Sequence, residues 1–393
     1  MMHIKKITSG IIALTLFCIP ASKVFGQNPT SREYPSLYKS SRTMGMGGAS
    51  IAIGGRGDAL FSNPAGLSTI PKDKGWDVSL INVSAELGEN VTDFLDDATT
   101  AMDTGDMNND GSTDDDQQKA LNDVLANYRG SNLHFRAANF TSFSRSYDSF
   151  ALGFGVLASG RMDARTHQGF GPEGFLELDA DATYGAVGGF SMPIEDNLSV
   201  GIGLKGLKRE SLVHNFSARE LAENGDNLDN YIVDDVRKQG SALGIDAGVL
   251  WKFSPDSWWR PAAGFSLMNI GDLDFAAAGK IPMTLNAGIS VNPQITWFRS
   301  LILGADYVDI LNNYEQDKDM MKRLRLGAEL QLFDIIPIEM AIRAGLYEGY
   351  PTFGADLRLL FLTLSYAMYS EEVGAYAGQD QDTRHLVTMN IGW

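Results

Sequence analysis

The sequence contains one cysteine, few histidines and no long apolar segment after its first residues. Cys18 is the only cysteine among the 393 residues, and it lies in the apolar run of residues 11–20. The lysines before this run and the small residues after it are typical of a secretory signal peptide, residues 1–26, cleaved after Gly26. An uncleaved anchor helix is the alternative, but it would need about 20 apolar residues to span a bilayer. A mature chain without cysteine would have no disulfides, no thiolate zinc site and no cysteine nucleophile.

Sequence motifs of catalysis are equally scarce. The four histidines after the signal peptide do not form H-E-x-x-H, and G-x-S-x-G does not occur. Residues 201–206 match G-x-G-x-x-G, but they lie inside an alternating strand pattern and do not open a helix. A site assembled from distant strands stays open as an alternative. We expect the protein not to be an enzyme and to require no cofactor.

Negative charge is concentrated in one part of the chain. The formal net charge is −17. Residues 86–129 contain twelve Asp or Glu residues, against only Lys119 and Arg129. Because binding to nucleic acid requires basic side chains that neutralise phosphates, we expect no nucleic-acid partner. The acidic segment is instead a candidate surface for a protein partner.

This acidic segment also contains an incomplete calcium-binding pattern. Oxygen-bearing side chains at alternate positions, followed by Gly111, reproduce the first half of an EF-hand-type loop. The twelfth position is Gln117 in place of the bidentate glutamate. A Ca²⁺ site is one interpretation, and a solvated acidic loop is the equal alternative. The candidate ligands are Asp106, Asn108, Asp110, Ser112, Asp114 and Asp116.

From residue 76 onward, apolar and polar residues alternate in stretches of about ten residues, the length that spans a membrane as a strand. Ile202 and Leu204, for example, lie on one face, and Gly203 and Lys205 lie on the other. This period of two indicates β-strands. We predict strands at residues 76–85, 133–145, 150–159, 180–191, 197–209, 241–253, 260–269, 282–291, 300–310, 321–332, 338–347, 351–358, 361–369 and 383–393.

The connections between the predicted strands alternate in length. Long connections such as residues 86–132, 160–179 and 210–240 are followed by short turns such as residues 146–149. This is typical of outer-membrane barrels, which have short periplasmic turns and longer extracellular loops. A soluble β-sandwich also alternates along its strands, but it has no need for this pattern of loops. We therefore predict an all-β protein, a transmembrane antiparallel β-barrel of about 14 strands at residues 73–393, in the outer membrane of a Gram-negative-type bacterium.

A closed barrel pairs all its backbone groups and turns one face of each strand to lipid. We expect the apolar face to contact outer-membrane lipids and the polar face to line the lumen. The last strand ends on Trp393 and resembles the C-terminal signal that the barrel-assembly machinery recognises, so this machinery is an expected partner during biogenesis. We interpret the lumen charges as ion pairs that fill a plugged barrel, with a polar path or a clamp for a ligand carboxylate as the alternative. These charges are Arg136, Lys205, Asp246, Lys252, Asp306, Arg323, Arg325, Glu329, Glu339, Arg343, Asp356 and Arg358.

Residues 27–72 precede the first strand and follow neither the strand nor the helix pattern. Pro64 has no backbone donor and restricts Asn63 to extended conformations, and Gly66 permits a reversal of the chain. The glycines upstream, within residues 42–57, suit tight packing in a confined space such as a barrel lumen. We therefore predict a hatch, or plug, at residues 27–72.

The motif R-x-M-G-M-G-G-A followed by N-P-A-G-L, ahead of about fourteen strands, resembles the start of the FadL-type outer-membrane channels for fatty acids and aromatic hydrocarbons. It is also similar to the type IX secretion barrel subunits and to the TraF-like group named after conjugal transfer. The aspartate-rich residues 91–106 look more like the TraF-like group. The residues that match the family motif are Arg42, Gly45, Gly47, Gly48, Asn63, Pro64, Ala65 and Gly66.

The resemblance implies a channel for uptake of hydrophobic small molecules such as long-chain fatty acids, gated by the hatch. Met44, Met46, Phe61 and Leu67 are then candidate apolar contacts for the ligand. The alternative is a barrel that transports nothing and serves as an interaction subunit of a secretion, conjugation or envelope system through its acidic loops. An acidic first loop and a charged lumen depart from the greasy path that a fatty-acid channel would offer.

Overall fold

The computed structural model describes residues 33–72, 75–103, 113–168, 174–217, 237–295, 297–314, 319–335 and 338–393. Its main feature is a closed barrel of fourteen antiparallel strands, in which each strand pairs with the next and the last pairs with the first. This confirms the predicted fold class and strand number. The barrel strands are β1 (Trp76–Gly88), β2 (Asn132–Ser146), β3 (Ala151–Gln168), β4 (Gly174–Glu195), β5 (Leu198–Ser217), β6 (Lys238–Trp251), β7 (Ala262–Met268), β8 (Thr284–Val291), β9 (Ser300–Tyr307), β10 (Leu324–Ile335), β11 (Ile338–Tyr347), β12 (Tyr350–Leu359), β13 (Leu362–Glu372) and β14 (Gln381–Gly392).

Strands β3, β4 and β5 are longer at their extracellular ends than the sequence pattern predicts. Much of the loops expected at residues 160–179 and 210–240 is instead paired β-structure. The extension carries Arg161, Asp179 and Asp181, whose side chains form ion pairs across the strands. The apolar alternation continues in β4 through Leu176 and Leu178, and it is interrupted in β5 by the four consecutive polar residues 208–211.

The two faces of the barrel carry the expected residues. Ile202 and Leu204 on β5 are more than half exposed on the outer face. Lys205, the next residue along the strand, points inward and is buried. Exposed tryptophans lie at the periplasmic ends of the strands, where an aromatic girdle contacts the membrane interface. Among the described residues, no helix is long and apolar enough to cross a membrane.

The N-terminal segment, residues 33–72, lies inside the barrel and contains only short helices. Helix α1 (Ser41–Gly45) is followed by two 3-10 helices, Gly57–Phe61 and Pro64–Thr69. Asn63 is extended, with φ −150° and ψ 105°, and its side chain accepts a hydrogen bond from the backbone N–H of Ala65. The Asn-Pro turn is therefore the capped start of the second 3-10 helix.

Two helices follow β1 on the extracellular side, α2 (Val91–Asp103) and α3 (Thr113–Asn127). They pack on each other and on Leu176 of β4. Residues 104–112 lie outside the described residues, so the candidate calcium ligands Asp106, Asn108, Asp110 and Ser112 have no described position. Asp114 and Asp116 lie in the first turn of α3.

The connection between β7 and β8 also folds inward. It contains a two-stranded sheet formed by Leu273–Asp274 and Lys280–Ile281, and a 3-10 helix at Ala276–Ala278. Leu273, Phe275 and Ile281 are almost fully buried against the barrel interior. This connection and the N-terminal segment together fill much of the lumen.

Candidate functional site

Glycines on the inner face of the barrel provide the surface on which the N-terminal segment packs. A Cβ atom added at Gly201 of β5 would lie 2.4 Å from the backbone nitrogen of Ala65, and one at Gly327 of β10 would lie 2.2 Å from the carbonyl oxygen of Met46. Real Cβ atoms do not approach other atoms this closely, so these positions require glycine for close backbone contact. The segment is therefore seated against opposite sides of the wall.

Buried polar side chains fix the backbone of the N-terminal segment. The carboxylate of Asp306 on β9 accepts hydrogen bonds from the N–H groups of Ser50, at 2.6 Å, and Ile51, at 2.9 Å. The side-chain amide of Asn63 donates to the carbonyl oxygens of Ile51, at 2.8 Å, and Val249 of β6, at 3.0 Å. Backbone groups that have no partner in secondary structure are thus paired with the barrel, as burial requires.

Arg42 joins the N-terminal segment to β10 through a two-point ion pair. Its Nε and Nη2 donate to the two carboxylate oxygens of Glu329 at 2.8 and 2.9 Å. Arg343 of β11 donates to Glu329 at 2.6 Å and to Asp356 of β12 at 2.6 Å. Lys205 and Asp246 form another buried pair at 2.9 Å. These contacts support the interpretation of the lumen charges as ion pairs. At the more exposed periplasmic end, Arg358 and Glu339 form a further pair at 3.5 Å, and Lys252 is exposed.

The glycines of the family motif make the closest contacts of α1 and the turn after it. Gly45 packs on Gly354 of β12, and a Cβ atom added at Gly45 would lie 2.9 Å from the Cα atom of Gly354. Gly47 and Gly48 have φ values of 60° and 84°, in the left-handed region that favours glycine. Gly66 packs on the backbone of Gly54 within the N-terminal segment.

The four residues predicted to contact a ligand take different positions. Met46 and Leu67 are almost fully buried in the packing between the N-terminal segment and the wall. Met44 packs against Tyr347 and other side chains of the extracellular half of the barrel, and Phe61 is half-buried beside the rings of Tyr38 and Phe140. Met46 lines a small cavity of about 20 Å³, and Met44 and Phe61 line the larger of the two cavities that these four residues reach.

That cavity has a volume of about 220 Å³ and lies between the N-terminal segment and the extracellular half of the wall. Its apolar wall contains Tyr34, Leu37, Met44, Phe61, Met268 and Tyr347. Polar groups at its edge are already paired: Lys205 Nζ donates to Asp246 and Asn269 at 3.0 and 2.9 Å. A second space, of about 670 Å³, opens on the periplasmic side of the segment and is lined by charged side chains, including Arg56 and Asp356.

A network of buried ion pairs occupies the extracellular end of the barrel interior. Arg384 of β14 contacts Glu33 at 2.9 Å and Asp382 at 2.7 Å. His134 of β2 lies between Glu86, at 2.7 Å from Nε2, and Asp163, at 2.6 Å from Nδ1. Arg136 also belongs to this network, because it lies 3.5 Å from Glu33, and it is the only member that was expected in the lumen from the sequence. Continuing the alternation of the last strand backward would have placed Arg384 on the inner face.

The fold and the paired interior define an outer-membrane-type β-barrel that contains its own N-terminal segment. This fold occurs in solved structures, among them the following two. The Ralstonia pickettii toluene transporter TbuX has 12% identity and a TM-score of 0.50, and the alignment covers 92% of this chain and all of that chain. The TodX deltaS2S3 mutant, a monoaromatic hydrocarbon channel, has 10% identity and a TM-score of 0.52, covering 90% of this chain and 98% of that chain.

Residues 60–320, about two thirds of the chain, match the family described as "F plasmid transfer operon, TraF, protein". The chain belongs to this family. The predicted resemblance to the TraF-like group is therefore confirmed, and the likeness to the two solved channels confirms the predicted barrel fold. No curated protein matches the sequence.

Proposed function

We propose that this protein is an outer-membrane channel that takes up a small, neutral, hydrophobic molecule through the cavity above its N-terminal segment. The observation that carries this proposal is the apolar wall of that cavity, which is enclosed by an otherwise ionic interior. Binding sites for small molecules are concave and mostly apolar, with few polar groups. The two structural neighbours are described as a toluene transporter and a monoaromatic hydrocarbon channel, and both descriptions fit this class of ligand.

The size of the cavity favours a ligand of about one aromatic ring. An apolar cavity of about 150 Å³ holds benzene, and sites for drug-sized ligands start at about 300 Å³. The 220 Å³ available here lies between these values. A long-chain fatty acid, which the sequence analysis named as an example, would need the surrounding segments to move.

The charges at the cavity edge favour a neutral ligand over a carboxylate. Lys39 is paired with Glu33 and Glu371, and Lys205 is paired with Asp246. A ligand carboxylate would have to displace one of these buried partners, and breaking a buried pair costs about 3–5 kcal/mol. A neutral molecule can bind without breaking any of these ion pairs.

Passage to the periplasm requires a change in the N-terminal segment, because this segment separates the cavity from the periplasmic space. The gating residues in this proposal are those of the family motif, with Arg42 and Asn63 as the groups whose hydrogen bonds must rearrange. The 3-10 helix that begins at Pro64 has six residues, and the hydrogen-bond geometry of such helices is poorer than that of α-helices.

Uptake by living cells tests this proposal. The protein is expressed in a strain without its own hydrophobic-molecule channels, and entry of radiolabelled toluene and oleate is compared with the empty strain. We expect faster entry of toluene and little gain for oleate. Pro64→Ala is expected to alter the rate by changing the start of the 3-10 helix. Equal toluene entry in expressing and empty strains would refute uptake.

A second candidate function follows from how firmly the N-terminal segment is held. It packs on inner-face glycines and forms buried ion pairs with the wall, so the barrel is closed as it stands. The family description names a transfer operon, which fits an interaction subunit. In that case the partner would bind the acidic helices α2 and α3. Stoichiometric co-purification of a protein after mild crosslinking, lost on deletion of residues 91–127, would support this function.

A further inference from the structure

His134 lies between two carboxylates at the extracellular end of the barrel interior. Its Nδ1 is 2.6 Å from Asp163 and its Nε2 is 2.7 Å from Glu86. Glu33 adds a third carboxylate, and one ligand atom each from Glu33, His134 and Asp163 lie within 4.8 Å of one another. The side chains of His134, Glu33 and Glu86 are at most 4% exposed. The function proposed above makes no use of this cluster.

We propose that Glu33, His134 and Asp163 bind one divalent cation of the zinc class. One imidazole nitrogen and two carboxylate oxygens are ligands that Zn²⁺ accepts, with a fourth position left for water. Ca²⁺ and Mg²⁺ prefer oxygen ligands alone. In the cation-bound form, Nδ1 of His134 and the Asp163 carboxylate move apart from the observed 2.6 Å to ligate the cation, and the proton between them is released to solvent.

Glu86 is the positioning residue of this site. When Nδ1 of His134 holds the cation, Nε2 carries the ring proton and faces Oε1 of Glu86, which lies 2.7 Å away. Ligand histidines almost always donate their second ring N–H to a carboxylate, carbonyl or water. The structure thus provides both the ligand nitrogen and the acceptor that orients the ring.

A second observation is an unpaired carboxylate oxygen beside the ring. Oε2 of Glu86 has no hydrogen-bond partner, although the Glu86 side chain is only 1% exposed. A buried charged oxygen without a partner is costly. A cation held by the neighbouring His134 would offset this cost.

The net charge of the surrounding network also leaves room for a divalent cation. Ion pairs among the described residues join seven carboxylates to five lysine and arginine side chains, so the network carries a charge of −2 when His134 is neutral. One divalent cation would neutralise it, as burial favours. The carboxylates are Glu33, Glu86, Asp163, Asp179, Asp181, Glu371 and Asp382, and the cations are Lys39, Arg136, Arg161, Arg209 and Arg384.

Arg384 and Lys39 both contact Glu33, but they do not occupy all of its acceptor positions. Each carboxylate oxygen has two lone pairs, so Glu33 can accept these hydrogen bonds and still ligate a cation. Because Glu33 belongs to the N-terminal segment, while His134 and Asp163 belong to the wall, the cation would tie this segment to the barrel.

Isothermal titration of the tag-free full-length protein with ZnCl₂ tests the site. The protein is purified folded in detergent, treated with a chelator and desalted before titration. We expect about one equivalent of Zn²⁺ to bind, since a structural site with a full ligand set binds stoichiometrically. A parallel titration with CaCl₂ is expected to show no binding at this site. Absence of Zn²⁺ binding by the wild-type protein would overturn the proposal.

Variants separate ligation from general metal adsorption. His134→Gln is expected to abolish stoichiometric Zn²⁺ binding, and Glu86→Gln is expected to weaken it about 10–100-fold, as for other residues that orient a ligand. His385→Gln is the matched control, because His385 contacts Tyr366 and lies outside this cluster. Unchanged binding by His134→Gln would contradict the assignment.

Hydrogen exchange measured on the wild-type protein tests the site without variants, which could fail to fold. Zn²⁺ is expected to slow hydrogen exchange of residues 33–40, because the cation ties Glu33 to the wall. Exchange that is identical with and without bound Zn²⁺ would place the cation elsewhere and overturn the proposed ligand set.

Discussion

Glu329 is the residue at which the N-terminal segment and two strands meet through charge. The Glu329 carboxylate accepts hydrogen bonds from Arg42 and from Arg343. Among the described residues, Arg42 has no other carboxylate within hydrogen-bond distance. Removing one partner of a buried pair leaves an uncompensated charge, which is more costly than the pair itself is favourable. A substitution that removes one partner of this ion pair therefore measures its effect on the free energy of unfolding.

Glu329→Gln is expected to lower the free energy of unfolding by about 3–5 kcal/mol, because it leaves Arg42 buried without a charged partner. The measurement is urea unfolding of the barrel in detergent micelles. The matched control is Lys72→Gln, which breaks the exposed pair of Lys72 with Asp148 and is expected to change stability by about 0–1 kcal/mol. Equal effects of the two substitutions would show that Glu329 has no special role.

At the scale of elements, the seat of the N-terminal segment depends on strand glycines. Gly327→Ala is expected to lower the free energy of unfolding by about 1–3 kcal/mol, because its Cβ would overlap the backbone of Met46. The same variant should expose the segment to added protease. Gly188→Ala is the control, since the nearest atom to its Cβ would be 3.6 Å away. A segment equally protected in both variants would contradict this account of the seat.

The extracellular turn between β11 and β12 is expected to respond to pH. Burial, and then the nearby charge of Glu371, raise the pKa of Glu348 to about 8. The unfolded chain releases this proton near pH 4.5, so the folded state binds one proton more between these values. Folding stability from this group therefore falls as pH rises from about 4.5 to about 8.

Glu348→Gln removes this titration. We expect thermal unfolding of the variant to depend less on pH over that interval than unfolding of the wild-type protein. The comparison is made at several pH values in the same detergent. An identical pH slope in both proteins would show that Glu348 does not hold its proton in the folded state.

The strands could be predicted from the sequence where one face is apolar, as in β5 and β6. The extracellular extension of β5 could not be predicted, because residues 208–211 are all polar and interrupt the apolar period, although Leu176 and Leu178 continue that period in β4. The turn at Asn63 and Pro64 was predictable, since both residues restrict the backbone locally. Its contact with Val249 was not, because this depends on the closure of the whole barrel.

At the scale of the whole molecule, closure brings together residues that are far apart in sequence. Glu33 and Arg384 meet only because β14 closes on β1 and the N-terminal segment lies inside. The charged lumen was predicted, but not its division into an ionic extracellular end, an apolar cavity and a polar periplasmic space. This division is what favours a small neutral ligand over a fatty acid.

The central claim is that the 220 Å³ cavity binds a small neutral hydrophobic molecule. Its most direct test is equilibrium binding of radiolabelled toluene to the purified barrel, with Ser62→Phe and Ser62→Ala compared. Ser62 lines the cavity, so the phenyl ring would fill it while alanine would leave it open. We expect saturable binding by the wild-type protein and by Ser62→Ala, and loss of binding by Ser62→Phe. No saturable binding by the wild-type protein, or equal binding by all three, would contradict the claim.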